Sequence, residues 1–310
     1  MMLRCKAPLS AANGASTRQR AAPVRASAHS NKHEGPAALD AVAAALRPAT
    51  RALSSALLAA SLFVTPAAAL ADEAPVAGSK APADTVYFGN GCFWGRQKDF
   101  VEAEKALGRT SPDQISSLVG YAAGKKAGPG GKVCYYYSDP RTTYEKLGHA
   151  EVVQVALTPG EEAQQEAEFR RFADTYFSQF QRLRNGRMQR LDPQDFGPGY
   201  RNVVGLPGGV SSPLFKVLQD ANVNRMELRE GSGNAYEGGG IGARPTEGDE
   251  LGVVWVVDSG SLPFYRAERY HQFHPGLGME SFPASYTRDL KAAVAATGKI
   301  DPTGCPELPF

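Results

Sequence analysis

The sequence predicts an α+β domain carried behind a targeting segment. Beyond about residue 84, short β-branched and aromatic runs mix with helical periodicities, without regular strand–helix–strand alternation. Pro- and Gly-rich punctuation separates these runs. Of the 310 residues, 42% are hydrophobic and 21% charged, which excludes a disordered, collagen-like or polytopic membrane chain.

In order, Val86-Tyr87-Phe88 is expected as a short buried strand, and Gly89-Asn90-Gly91 as a turn. From Cys92 the pattern turns helical, with Phe93, Phe100 and Leu107 on one face and Trp94 and Val101 beside them. Ile115 to Val119 is the second strand candidate, closed by Gly120. Glu151 to Leu157 is the third, and its alternation puts Glu151, Val153, Val155 and Leu157 on one side. Glu161 to about Arg182 reads as a long amphipathic helix, acidic at its start and basic at its end, as the helix dipole favours. Leu251 to Val257 is a fourth strand and Asp289 to Ala296 a late helix. The Gly-rich stretches Lys125–Lys132 and Val203–Gly248 read as long surface loops.

Charge is uneven. The first 71 residues carry eight Lys and Arg against two acids, leaving 26 bases against 30 acids in the body. That mildly acidic body has no basic footprint for nucleic acid. Residues 1–51 are rich in Ala, Arg and Ser, as transit peptides are. An uncharged stretch follows from Ala52 to Ala71, whose apolar part ends at Val64, short of the roughly 20 residues a membrane span needs. It closes on Ala69-Leu70-Ala71, a small-residue cleavage pattern, and acids resume at Asp72. Residues 1–71 therefore read as a bipartite address for the thylakoid lumen of a chloroplast, with the stroma as the alternative. Residues 72–83 read as a linker, and residues 84–310 as one catalytic domain with an extended tail. No stable membrane insertion is expected of the mature protein, and a monomer is expected.

Beyond the address the cysteines are Cys92, Cys134 and Cys305, widely spaced and with no CxxC pair, so no metal site is written in the spacing. Gly91-Cys92-Phe93-Trp94-Gly95 stands where a strand turns into a helix. The positive end of the helix dipole stabilises a thiolate there, which is the nucleophilic form. Glycine neighbours allow close approach of a substrate. By residue chemistry alone, a buried structural cysteine with two core aromatics fits equally well.

That pentapeptide closely resembles the signature of the peptide methionine sulfoxide reductase A family. Further segments resemble the family in the same order. They are Gly120-Tyr121-Ala122-Ala123-Gly124, Gly148-His149-Ala150-Glu151, Asp195-Phe196-Gly197-Pro198-Gly199-Tyr200-Arg201 and Ala267-Glu268-Arg269-Tyr270-His271-Gln272. The resemblance implies a two-layer sandwich of helices on a mixed, ferredoxin-like sheet, with long irregular loops. It implies thiol-dependent reduction of the S epimer of methionine sulfoxide in proteins and peptides. Cys92 would be the nucleophile and Glu151 the proton donor. Phe93 and Trp94 would hold the substrate's methyl group, and Tyr144, Asp195 and Tyr200 would bind or orient the substrate. Cys92, left as a sulfenic acid, would be resolved by Cys305 in a mobile tail, with Cys134 as the alternative. A thioredoxin-like protein would be the reductant; no organic cofactor is implied.

Three departures stand out. Gln97 replaces the acid usual two residues after the signature. A His-Asp-Pro segment is replaced by Arg187 to Pro193, and Gly199 stands where the family has glutamine. Two other readings fit part of the sequence: a thiol peroxidase built on Cys92, and a non-catalytic methionine-sulfoxide sensor.

Overall fold

A computed structural model describes residues 84–135, 139–235, 244–276 and 281–307. The expected address and linker lie outside the described residues. The elements run β1 (Thr85–Gly89), α1 (Phe93–Ala106), β2 (Leu118–Ala122), β3 (Ala150–Ala156), α2 (Glu162–Ser178), β4 (Phe180–Arg182), β5 (Met188–Arg190), β6 (Val203–Leu206), α3 (Pro213–Ala221), β7 (Glu227–Glu230), β8 (Val253–Asp258), β9 (Tyr265–Arg266) and α4 (Lys291–Ala295). Seven strands form one sheet in the order β7-β8-β6-β1-β3-β2-β9, and β4 pairs with β5 as a separate hairpin. β6 and β7 run parallel to β8; the other neighbours in the large sheet are antiparallel. The sheet is therefore mixed and the fold α+β, as the sequence predicts.

Strand alternation divides the core. Val86, Phe88, Val153, Val155, Val204 and Val256 face one way and pack on Phe100, Phe169, Phe172 and Leu218 from the helices. Tyr87, Val152, Val203 and Trp255 face the other way, under Leu262 and Phe264. A third cluster, Val101, Ile115, Phe273, Tyr286, Val294 and Ile300, seats the C-terminal segment on the outer side of α1. Arg109 joins layers electrostatically: it donates to Glu104 of α1 at 3.0 Å, to Glu168 of α2 at 2.7 Å, and to the Ala156 carbonyl of β3 at 2.8 Å.

Several expectations are corrected. Val203–Gly248 is not a loop: it contains β6, α3 and β7. Val203-Val204-Gly205-Leu206 is short, and its glycine masks the apolar run. Gly205 lies opposite Tyr87 in the β1–β6 ladder, and its missing side chain makes room for that ring. α3 carries legible signals, with Ser212 capping the Leu214 N–H and Pro213 in the first turn. The helix expected to reach Arg182 ends at Ser178, because Phe180–Arg182 turns back to pair with Met188–Arg190; its last turn holds no basic residue. The second strand is Leu118–Ala122 rather than Ile115–Val119. Gly120 lies inside it because Phe264 and the Tyr265 carbonyl crowd its position, leaving no room for a Cβ. The late helix starts earlier than Asp289, as a π-helical turn over Ser285–Leu290 that runs into α4.

A Cβ at Gly205 would stand 2.2–2.4 Å from the Tyr87 ring atoms, in a core already filled on that face. Gly205→Ala is expected to destabilise the domain by about 1–3 kcal/mol, the usual cost of overpacking. Chemical denaturation would read this as a lower midpoint at unchanged slope.

Candidate active site

The nucleophile candidate is placed by the turn after β1. Gly91 takes φ +80°, a conformation that favours glycine, and its N–H donates to the Tyr200 carbonyl at 2.9 Å. This ties the signature to the Asp195–Arg201 segment. Cys92 then forms the N-cap of α1, buried, with extended backbone.

Glu151, in β3, faces the same helix start. Its carboxyl is fully buried; Oε2 accepts the Phe93 N–H at 3.0 Å and Oε1 accepts the Tyr144 hydroxyl at 3.2 Å. Burial holds its pKa well above the usual carboxylate range. The Phe93 N–H and Tyr144 hydroxyl oppose that shift, while the charge of Asp195 adds to it. The Tyr200 hydroxyl hydrogen-bonds Tyr144 and interacts with Glu151 and Asp195; burial pushes it above the normal phenol range. Sequence-predicted Cys92, Phe93, Glu151, Tyr144, Tyr200 and Asp195 thus gather around the start of α1.

Trp94 packs deeper than a simple wall would. Its ring stacks on His274 with centroids 3.5 Å apart, and its Nε1–H donates to His271 Nδ1 at 3.2 Å. Burial depresses the His271 pKa to about 3, so the ring is neutral at physiological pH. Phe93 lies against Tyr121 and His271, at 6.0 and 5.3 Å between centroids.

Cys134 and Cys305 are joined as a disulfide with Cα atoms 5.7 Å apart. The expected mobile tail is instead anchored up to Glu307. Arg266 donates to the carbonyls of Lys299 and Asp301 at 2.9 and 3.0 Å, and the Arg269 N–H donates to Glu307 at 3.2 Å. A carboxylate oxygen of Glu268 lies within 4.8 Å of both bonded sulfurs. Tyr121 and Glu268, inside quoted segments, were given no site role by the sequence. Only the sheet, which pairs β2 with β9, brings Glu268 to Tyr121.

Other segment residues hold the frame. His149 accepts the Gly124 N–H at Nδ1 (3.2 Å) and donates from Nε2 to the Lys126 carbonyl (2.7 Å), a neutral tautomer consistent with a pKa depressed by burial to about 4. Gly148 takes φ +90°, and a Cβ there would strike Asn234. Arg201 spans the Ala123 and Pro198 carbonyls at 2.7 and 2.8 Å. Gln97 is fully buried, donating to the Ser117 carbonyl at 2.9 Å and accepting the Phe273 N–H at 2.6 Å, so an amide serves both bonds where an ionised carboxylate could not. Gly199 makes room for Tyr144, whose ring would lie 3.2 Å from a Cβ there.

No protein-family model matches the chain. Among curated relatives, the peptide methionine sulfoxide reductase MsrA of Methylobacterium nodulans is 28% identical over 229 residues, covering 71% of this chain and 76% of that protein. That of Methylobacterium sp. strain 4-46 is 29% identical with the same coverage. That of Methanoculleus marisnigri is 26% identical over 185 residues, covering 60% of this chain and 84% of its own. Among solved structures, methionine sulfoxide reductase A of Corynebacterium diphtheriae has a TM-score of 0.33 at 18% identity, covering 62% of this chain and 74% of that one. With the five segments in order, the chain is similar to three relatives that share the name peptide methionine sulfoxide reductase MsrA, at 26–29% identity.

Proposed function

We propose that the protein reduces methionine S-sulfoxide in proteins and peptides to methionine. The observation that carries this reading is a buried carboxyl, Glu151, held against the first N–H of the helix that Cys92 caps. Cleaving the S–O bond needs an attacking sulfur and a proton for the departing oxygen, and the two groups stand at one helix terminus.

In this reaction the Cys92 thiolate attacks the sulfoxide sulfur. The oxygen takes a proton from Glu151, methionine leaves with an electron pair, and Cys92 becomes a sulfenic acid. Burial favours the protonated form of Glu151, and the Tyr144 hydroxyl holds the carboxyl in position. Phe93 and Trp94 supply the apolar contact for the methyl group, and Tyr200 and Asp195 the polar side. Cys305 attacks the sulfenic acid and releases water. Cys134 then displaces Cys92, leaving the Cys134–Cys305 disulfide for a thioredoxin-like dithiol to reduce. The pairing of these two cysteines supports that order. The N-terminal pattern supports delivery to the thylakoid lumen. No helix among the described residues is long and apolar enough to cross a membrane.

Assay of separated S and R epimers of a methionine sulfoxide peptide is expected to give S-specific turnover, abolished in Cys92→Ser and reduced about 10²-fold or more in Glu151→Gln. Because the protonated carboxyl is the active form and its pKa is raised, wild-type turnover should fall as pH rises through that pKa; a rate that climbs steadily with thiolate alone contradicts the role. After a single turnover of reduced protein, Cys305→Ser should hold Cys92 as the sulfenic acid; an unchanged loss of two hydrogens would assign resolution to Cys134. The mature protein from chloroplasts should begin at Asp72, and a start well before it rules out the second cleavage.

A further inference from the structure

We propose that Glu268 is the proton donor for reduction of the Cys134–Cys305 disulfide by a dithiol. This deepens the reducing half of the proposed cycle, but it rests only on the disulfide and its surroundings.

Glu268 is almost completely buried, and one of its oxygens lies within 4.8 Å of both sulfurs. Oε1 accepts the Tyr135 N–H at 2.7 Å, and Oε2 accepts the Tyr121 hydroxyl at 2.7 Å. Both oxygens are therefore held by hydrogen bonds, which fix the carboxyl in place. Both sulfurs lie beside it, within reach of a proton transfer as their bond breaks. Tyr135 directly follows Cys134, so the bond to its N–H holds the carboxyl beside that cysteine. Burying a carboxyl against a disulfide is otherwise costly.

The groups around it raise the acid's pKa toward neutrality. Tyr121 from β2 and Tyr135 donate to it, neutral His271 lies 3.9 Å away, and Glu307 faces it from the C-terminal segment. Lys291 of α4 interacts with Glu307 and Arg269. Burial, the largest influence, and the charge of Glu307 raise the Glu268 pKa to about 7, against its hydrogen bonds.

The step balances as follows. The dithiol enters as a thiolate, having lost one proton to solvent. It bonds to Cys305, the more accessible of the pair at 9% exposed against 1% for Cys134. The Cys134–Cys305 bond breaks, and Cys134 leaves with the electron pair and takes the Glu268 proton. The dithiol's second thiol returns its proton to the Glu268 carboxylate as it attacks the dithiol's own bonded sulfur. Cys305 departs as a thiolate and takes a proton from solvent. Two electrons pass, and the products are two protein thiols and an oxidised dithiol.

The test uses the full chain with the disulfide formed, and dithiothreitol as the dithiol. Alkylation of Cys134 and Cys305 is followed by mass spectrometry between pH 5.5 and 9, and each rate is divided by the thiolate concentration. The wild-type value is expected to fall with rising pH through an inflection near 7. Glu268→Gln should be on the order of tenfold slower at pH 6 and lack the inflection. Glu268→Asp should keep it. A wild-type value independent of pH overturns the proposal whatever the variants do, as does the same inflection in Glu268→Gln. Sulfoxide turnover is not read here, so failure of the reductase reading leaves this outcome interpretable.

Discussion

The site depends on one contact, the hydrogen bond from the Phe93 N–H at the start of α1 to the buried carboxyl of Glu151 on β3. It crosses 58 residues of sequence and brings the acid to the helix terminus that carries the sulfur. A helix start leaves its first N–H groups without partners inside the helix, so a carboxyl from elsewhere is a natural partner. The same contact opposes the rise in the Glu151 pKa, and burial outweighs it. The result is an acid that is positioned by a donor while its pKa stays raised.

Around that contact the chain is tied in three places by polar groups with little freedom to move. Gly91 bonds to Tyr200, Gln97 reads both Ser117 and Phe273, and Arg201 clasps the loops at Ala123 and Pro198. Each of these residues is buried, so loss of a partner leaves an uncompensated polar group rather than an exposed one. The segments that carry the family resemblance are thus mostly framework around a small candidate site.

Tyrosines and histidines join the reacting centre to the disulfide. Tyr121 stacks on Tyr144 at 4.7 Å, Tyr135 stacks on Tyr144 at 5.7 Å and meets His271 at 4.6 Å. Tyr121 and Tyr135 also bond to Glu268. Glu151 and Glu268, two buried acids with raised pKa values, are therefore linked through stacked tyrosines. One faces the cysteine at the helix start, the other the disulfide.

Local pattern alone made much of this legible. Alternation in Glu151 to Leu157 told that Glu151 shares a face with aliphatics, and burial of that face sets its chemistry. The strand-to-helix junction at Cys92 was equally plain, because turn glycines and a change of period are local signals. Where glycine entered a strand or helix boundaries met a hairpin, local signals failed. Gly205 and Gly120 lack side chains because Tyr87, Phe264 and a neighbouring backbone occupy their space, and no window of sequence contains those neighbours. The tail that read as mobile is held by Arg266 and a disulfide to a residue 171 positions away. Sequence by itself singled out the candidate residues, since residue type sets nucleophilicity and acidity. Tertiary structure alone decided which of them meet, because distance between distant segments and loss of water on burial are properties of the packed chain.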